Sequence, residues 1–265
     1  MKTLMCLVFC LSSAQGFLFG KDAFPNWNKL SVTFMKFSGL PMNVNDAVSD
    51  EWKLNKDACK NSTFFVGQRY DLKGDNATML LFDSHGQIAG MQMAWSNTLG
   101  VAQQWLGGPI IDDGTNYHAT VYFTEPSKIC SGTKRDKNYV GDKMFILMGK
   151  SQLMTIPLKE DKIANTKWVK GRCFYGMGQH YWYDISRDMD CNNFFPFFLL
   201  YNKHVLNGFG FATGSNVVSN RVEHPPKSKL GWFFHAAEAP MCLQTYKYLS
   251  TQHVYLDKRP YLNFC

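Results

Sequence analysis

The sequence predicts a mainly β protein with a minor helical part, built from two tandem β-rich repeats of about 110 residues packed with pseudo-two-fold symmetry. Three observations carry this expectation. Apolar and polar residues alternate at period two, helical patterning is scarce, and a series of residues recurs in one order at an offset near 112. Phe34 recurs as Phe145, Trp52 as Trp168, Cys59 as Cys173, Gly67-Gln68 as Gly178-Gln179, Asp71 as Asp184, Leu80-Leu81-Phe82 as Leu199-Leu200-Tyr201, Gly90 as Gly208 and Cys130 as Cys242. One shared Trp arises by chance, whereas an ordered series does not. The boundaries that follow are a leader at residues 1–16, a first repeat at 17–140, and a second repeat with a C-terminal tail at 141–265.

Along the chain, Leu30, Val32 and Phe34 alternate with Ser31 and Thr33 as a first strand. Asp46 to Lys56 is the best helical segment, with Val48 and Trp52 four apart and Asp46 placed to cap the first turn. Met79–Phe82 and Ile88–Trp95 flank Asp83-Ser84-His85-Gly86 and predict a hairpin. Ala119, Val121 and Phe123 alternate with His118, Thr120 and Tyr122. In the second repeat, Phe197–Tyr201 and Val205–Ala212 flank Asn202-Lys203-His204 as a matching hairpin, and Val254 and Leu256 alternate with His253, Tyr255 and Asp257. This places His85 and His204 in turns and His118 and His235 in strands. His253 falls in a tail that would have to fold back to join a site.

The compartment is read from the N-terminus and the cysteines. Lys2 precedes an apolar run from Leu4 to Leu11, with Ala14 and Gly16 at cleavage spacing, the pattern of a secretory signal peptide. In an oxidising export route the remaining six cysteines should pair. Repeat symmetry suggests Cys59 with Cys130 and Cys173 with Cys242, leaving Cys191 for Cys265. The sequons at Asn61 and Asn76 fit a secreted glycoprotein. No later segment reaches the ~18 to 20 apolar residues of a spanning helix, so no membrane span is expected. The 28 Lys+Arg and 21 Asp+Glu are scattered rather than striped, which argues against nucleic acid as a partner.

No motif names a reaction, a cofactor or a metal. The informative feature is an asymmetry: Gly178-Gln179-His180-Tyr181-Trp182-Tyr183-Asp184 stands where the first repeat has Gly67-Gln68-Arg69-Tyr70-Asp71. Arg221-Val222-Glu223-His224-Pro225 stands near the place of Gly107-Gly108-Pro109. His180, Glu223 and His224 are therefore candidates for acid–base or metal-assisted catalysis, because imidazole titrates near neutrality and donates good metal lone pairs. Against this stands a structural role for His180 in an aromatic strand and an exposed turn at Glu223 to Pro226. Tyr181, Trp182, Tyr183, Phe209, Phe211 and Trp232 belong to an aromatic excess in the second half that could line a ligand pocket or simply fill a core. Two functions follow: a secreted protein binding a hydrophobic or aromatic small molecule in its second repeat, or a secreted metal-assisted or oxidative enzyme using His180, Glu223 and His224. Oligomeric state is not encoded in any pattern read here.

Overall fold

The computed structural model describes residues 26–61, 63–97, 103–135 and 139–265, so the expected leader lies outside the described residues. Runs of aromatic, β-branched and methionine side chains punctuated by turns form the strands. The first half contributes β1 (Ser31–Val32), β2 (Ser38–Gly39), β3 (Trp52–Asp57), β4 (Gln68–Leu72), β5 (Asp75–Phe82), β6 (Ile88–Ser96), β7 (Ile110–Asp112) and β8 (Asn116–Tyr122). The second half contributes β9 (Met144–Leu147), β10 (Leu153–Ile156), β11 (Trp168–Phe174), β12 (Gly178–Tyr183), β13 (Phe197–Asn202), β14 (Val205–Thr213) and β15 (Ser250–Tyr255). Two short helices, α1 (Val44–Ser49) and α2 (Pro126–Ile129), interrupt them.

The strands make two antiparallel sheets. One runs β10-β9-β8-β6-β5-β4-β3, with β7 also on β8, and the other runs β11-β12-β13-β14-β15-β1-β2. Each is completed by a hairpin from the opposite half of the chain. Ser31 and Val32 pair with Tyr255 and Val254, and Val121 and Tyr122 pair with Ile146 and Phe145. Between the sheets lies an apolar core that includes Leu80, Phe82, Met91 and Val121 with Phe197, Leu199, Phe209, Phe211 and Val254. The Phe123 and Phe209 rings meet there at 6.0 Å. Gln252 Nε2 donates to Thr78 Oγ1 at 2.6 Å, which satisfies two buried polar groups of the core.

Period two sends the intervening side chains to the outer faces. Leu81, Ala89 and Tyr122 pack outward beneath Phe65 and Ile129, while Trp182, Phe198, Leu200 and Tyr255 pack outward beneath Leu230, Phe234 and Leu243. One cross-strand row on each outer face carries Leu, Gly and Tyr in the same order, while the adjoining rows differ. Arg69, Leu81, Gly90 and Tyr122 lie side by side in one sheet, and His180, Leu200, Gly208 and Tyr255 in the other. The adjoining rows are Asp71, Met79, Gln92, Thr120 and Trp182, Phe198, Gly210, His253. Gly67 and Gly178 hold φ of 110° and 109°, and a Cβ on either would fall 2.9 Å from the Phe82 carbonyl or 2.6 Å from that of Tyr201.

Several expectations are corrected. The helical segment is only Val44–Ser49: Asn43, not Asp46, caps it by accepting from the Asp46 N–H at 2.9 Å, and Trp52 begins β3. Ala47 is its buried residue and Val48 is exposed, so the four-residue spacing of Val48 and Trp52 did not mark a helix face. The first strand ends after Val32 because Thr33, Met35 and Phe37 all take positive φ, turning the chain outward. His235 is exposed outside any strand, whereas His253 lies within β15, an integral strand rather than an appended tail.

The disulfides are Cys59–Cys130, as expected, and Cys173–Cys265 and Cys191–Cys242, in place of Cys173–Cys242 and Cys191–Cys265. The error lay in matching Cys130 to Cys242. Cys130 follows β8, but Cys242 precedes β15, within residues 214–249 that run between β14 and β15. Cys265 follows β15, as Cys130 follows β8.

Candidate functional site

On β14, Phe209 and Phe211 point into the core between the sheets, which leaves Gly208 and Gly210 on the outer face. A Cβ on Gly210 would come within 2.0 Å of the Phe198 ring, so glycine is what lets Phe198 lie across β14 and reach His253, ring centroids 4.9 Å apart. Residues 223–234 roof the resulting trough. Pro225 and Pro226 hold the chain extended into the 3-10 turn Lys227–Trp232. The Phe233 carbonyl then accepts from the Arg172 N–H at 3.0 Å and from Trp182 Nε1 at 3.2 Å, stitching the roof to the sheet. The Cys191–Cys242 bridge ties the far end of residues 214–249 to the turn after β12. Phe34 and Met35, from the bend after β1, form the remaining wall. The cavity, open on one side to solvent, has a volume of about 270 Å³.

Glu223 is the polar anchor of the roof. Its backbone exchanges hydrogen bonds with Thr251, at 2.7 and 2.9 Å. Its carboxylate accepts from the Phe34 N–H at 2.5 Å through Oε1, and from Thr251 Oγ1 at 3.2 Å and His253 Nδ1 at 2.7 Å through Oε2. His180 is fully buried between Trp182 and Phe198, at centroid distances of 6.1 and 5.7 Å. Its Nδ1 donates to the Arg172 carbonyl at 3.1 Å, and its Nε2 is buried with no hydrogen-bond partner. Burial, and secondarily the facing His253 ring, pushes the His180 pKa down to about 3 against the opposing pull of the Arg172 and Gly178 carbonyls. The ring is therefore neutral at physiological pH.

Of the residues singled out from the sequence, His180, Glu223, His224, Trp182 and Trp232 all line this one cavity. His224 and Trp232 sit at its exposed rim, Trp232 stacked on Phe174 at 5.8 Å. Tyr181, Tyr183, Phe209 and Phe211 do not line it, because alternation turns them to the opposite face of the sheet. Tyr181 donates to Glu160 Oε1 at 2.6 Å, Tyr183 packs on Phe195 at 4.6 Å, and the two phenylalanines fill the core. The imidazole paired with Glu223 is His253, which the sequence reading left in a tail. Its alternation with Val254 and Leu256 was the available signal. Phe198, Phe34 and Gly210 carried no signal that separated them from ordinary core residues.

The corresponding place on the other sheet is filled. Arg69 Nη1 donates to Gln92 Oε1 at 3.3 Å, Gln92 Nε2 to Thr120 Oγ1 at 2.8 Å, and Asn55 Nδ2 to Asp71 Oδ2 at 2.8 Å. Polar side chains there satisfy one another at row positions where the second sheet has His180, Gly210 and His253. Chemically, the cavity has an aromatic interior whose wall includes the neutral His180 ring, with the Glu223–His253 carboxylate–imidazole pair beside it. Among the described residues no group of three or more His, Cys, Asp or Glu side chains is placed to hold a metal ion. No family model, curated protein or solved structure matches the chain.

Proposed function

We propose that this chain is an exported, disulfide-bonded glycoprotein that carries a small hydrophobic or aromatic molecule in the cavity of its second repeat. The observation that carries the reading is the aromatic cavity over Gly210, formed where the first sheet holds the Arg69, Gln92 and Thr120 network. An apolar cavity of about 150 Å³ holds benzene, so 270 Å³ suits a ligand of roughly ten non-hydrogen atoms. The duplication behind the term repeat is supported by the matching rows of Leu, Gly and Tyr in the two sheets and by the paired close approaches of Gly67 and Gly178. Export is supported by the three disulfides, and no helix of the described residues is long and apolar enough to cross a membrane. Asn61 is exposed and Asn76, the second residue of β5, is half-buried, and both are assigned as glycan acceptors.

The carrier reading is preferred to the catalytic one because, among the described residues, the only side-chain hydroxyl lining the cavity, that of Thr251, is already donated to Glu223. The Glu223–His253 pair thus faces no free nucleophile among the described residues. Native mass spectrometry on the glycoprotein secreted by eukaryotic cells tests the proposal. A single small adduct, co-purified or formed on adding two-ring aromatics, is the expected result. Absence of any one-to-one adduct across such a panel would overturn it.

A further inference from the structure

The polarity of the cavity narrows its ligand further. Histidine has two ring nitrogens, and in the neutral form one donates and the other accepts. A carbonyl can only accept, so the 3.1 Å contact with the Arg172 carbonyl fixes the proton of His180 on Nδ1. Nε2 is left as a lone pair, buried and without a partner in a ring that forms part of the cavity wall. A buried acceptor left unmade carries the full cost of its desolvation, so a donor brought to it gains more than one brought to a solvated group.

The surrounding charges select among donors. Both oxygens of Glu223 are already occupied, by the Phe34 N–H on one side and by Thr251 and His253 on the other. An incoming ammonium would therefore lose its hydration without gaining a free carboxylate. An incoming carboxylate would meet the negative charge of Glu223 and the lone pair of His180. The nearest cation in the lining, Lys229, lies out at the rim over the Trp232 ring, 4.7 Å from its centroid. Ethers, esters and ketones would set lone pair against lone pair.

We infer that the cavity selects an uncharged molecule of about ten non-hydrogen atoms whose apolar body ends in one hydrogen-bond donor, an O–H or N–H group received by His180 Nε2. The class is small phenols, alcohols and N–H heterocycles. This inference rests on the carrier reading and adds the chemistry of the ligand's head group to it.

The test is calorimetric titration of the full-length, disulfide-intact protein with 2-naphthol, 2-methoxynaphthalene and 2-naphthoate, which share one ring system and differ in the head group. 2-Naphthol should bind at least about tenfold more tightly than either of the others, the difference a single buried hydrogen bond makes. In His180→Phe that preference should vanish while the ether still binds. Equal or tighter binding of the ether or the naphthoate to the wild-type protein would overturn the inference and leave the carrier reading standing. Binding of none of the three would overturn both. Should His180→Phe fail to fold, the ¹⁵N resonance of His180 Nε2 in the wild-type protein decides. It should move on saturation with 2-naphthol and stay in place with the ether, and an unmoved resonance with 2-naphthol bound would overturn the inference.

Discussion

A missing side chain and a missing proton define the site at the scale of single residues. Gly210 leaves room for the Phe198 ring, and even a methyl group there would collide with it at about 2.0 Å. Gly210→Ala should therefore destabilise the protein by about 1–3 kcal/mol in denaturant titrations, because a close-packed aromatic cluster has to shift. His180 makes the protein acid-sensitive in a defined window. Its folded pKa, near 3, lies below the unfolded value of 6.5, so the folded state binds fewer protons between those pH values. The stabilisation from neutral His180 is fully present above about pH 6.5 and is lost as pH falls toward 3, at up to about 1.4 kcal/mol per pH unit. Stability measured across this range should fall less steeply in His180→Phe than in wild type. An identical slope would mean that His180 is not held neutral by burial. His180 could be singled out in the sequence because Arg69 stands in its place in the first half, a difference visible without coordinates. His253 could not, because a residue in a regular alternation looks the same whether its strand closes a core or lines a cavity.

At the scale of elements, the roof over the cavity belongs to residues 214–249, a segment with little regular structure of its own. The Cys191–Cys242 bridge and the Phe233 carbonyl hold it in place. Replacing both Cys191 and Cys242 by serine should cost about 2–4 kcal/mol of stability and should also weaken ligand binding. Replacing Cys59 and Cys130 should lower stability by a similar amount and leave binding intact, since that bridge lies on the other sheet. Peptide mapping under non-reducing conditions should find Cys173 linked to Cys265. A Cys173–Cys242 peptide would contradict the fold. The two central hairpins were legible because turn residues separate strongly apolar runs, as at Asp83 to Gly86. The path of the roof was not, because no periodicity marks a segment whose position is set by one bridge and a few backbone contacts. That gap also misled the cysteine pairing, since Cys242 lies in the same irregular segment, before β15, whereas Cys130 follows β8.

For the whole molecule, the main point is the reciprocal completion of the sheets. β1 and β2 close the sheet made mostly by residues 168–255, and β9 and β10 extend the sheet made mostly by residues 52–122. Neither half has its full complement of strands alone. Guanidinium unfolding should give one transition, coincident by tryptophan fluorescence and circular dichroism, and polypeptides 26–140 and 141–265 should fail to fold separately. Two resolved transitions would show independent halves. The β class could be read from local alternation. The exchange of hairpins could not, because strand pairing between Ser31 and Tyr255 depends on backbone geometry far apart in sequence.

The central claim is that the cavity over Gly210 is a binding site, and filling it tests this most directly. Ala212 is buried in β14 and lines the cavity, so Ala212→Leu should occupy part of its volume without introducing a polar group. Calorimetric titration with 2-naphthol should show one-to-one binding to the wild-type protein and at least a tenfold loss of affinity in Ala212→Leu, with the variant's circular dichroism spectrum unchanged. Equal affinity in a folded Ala212→Leu would contradict the account, because the ligand would then be bound elsewhere.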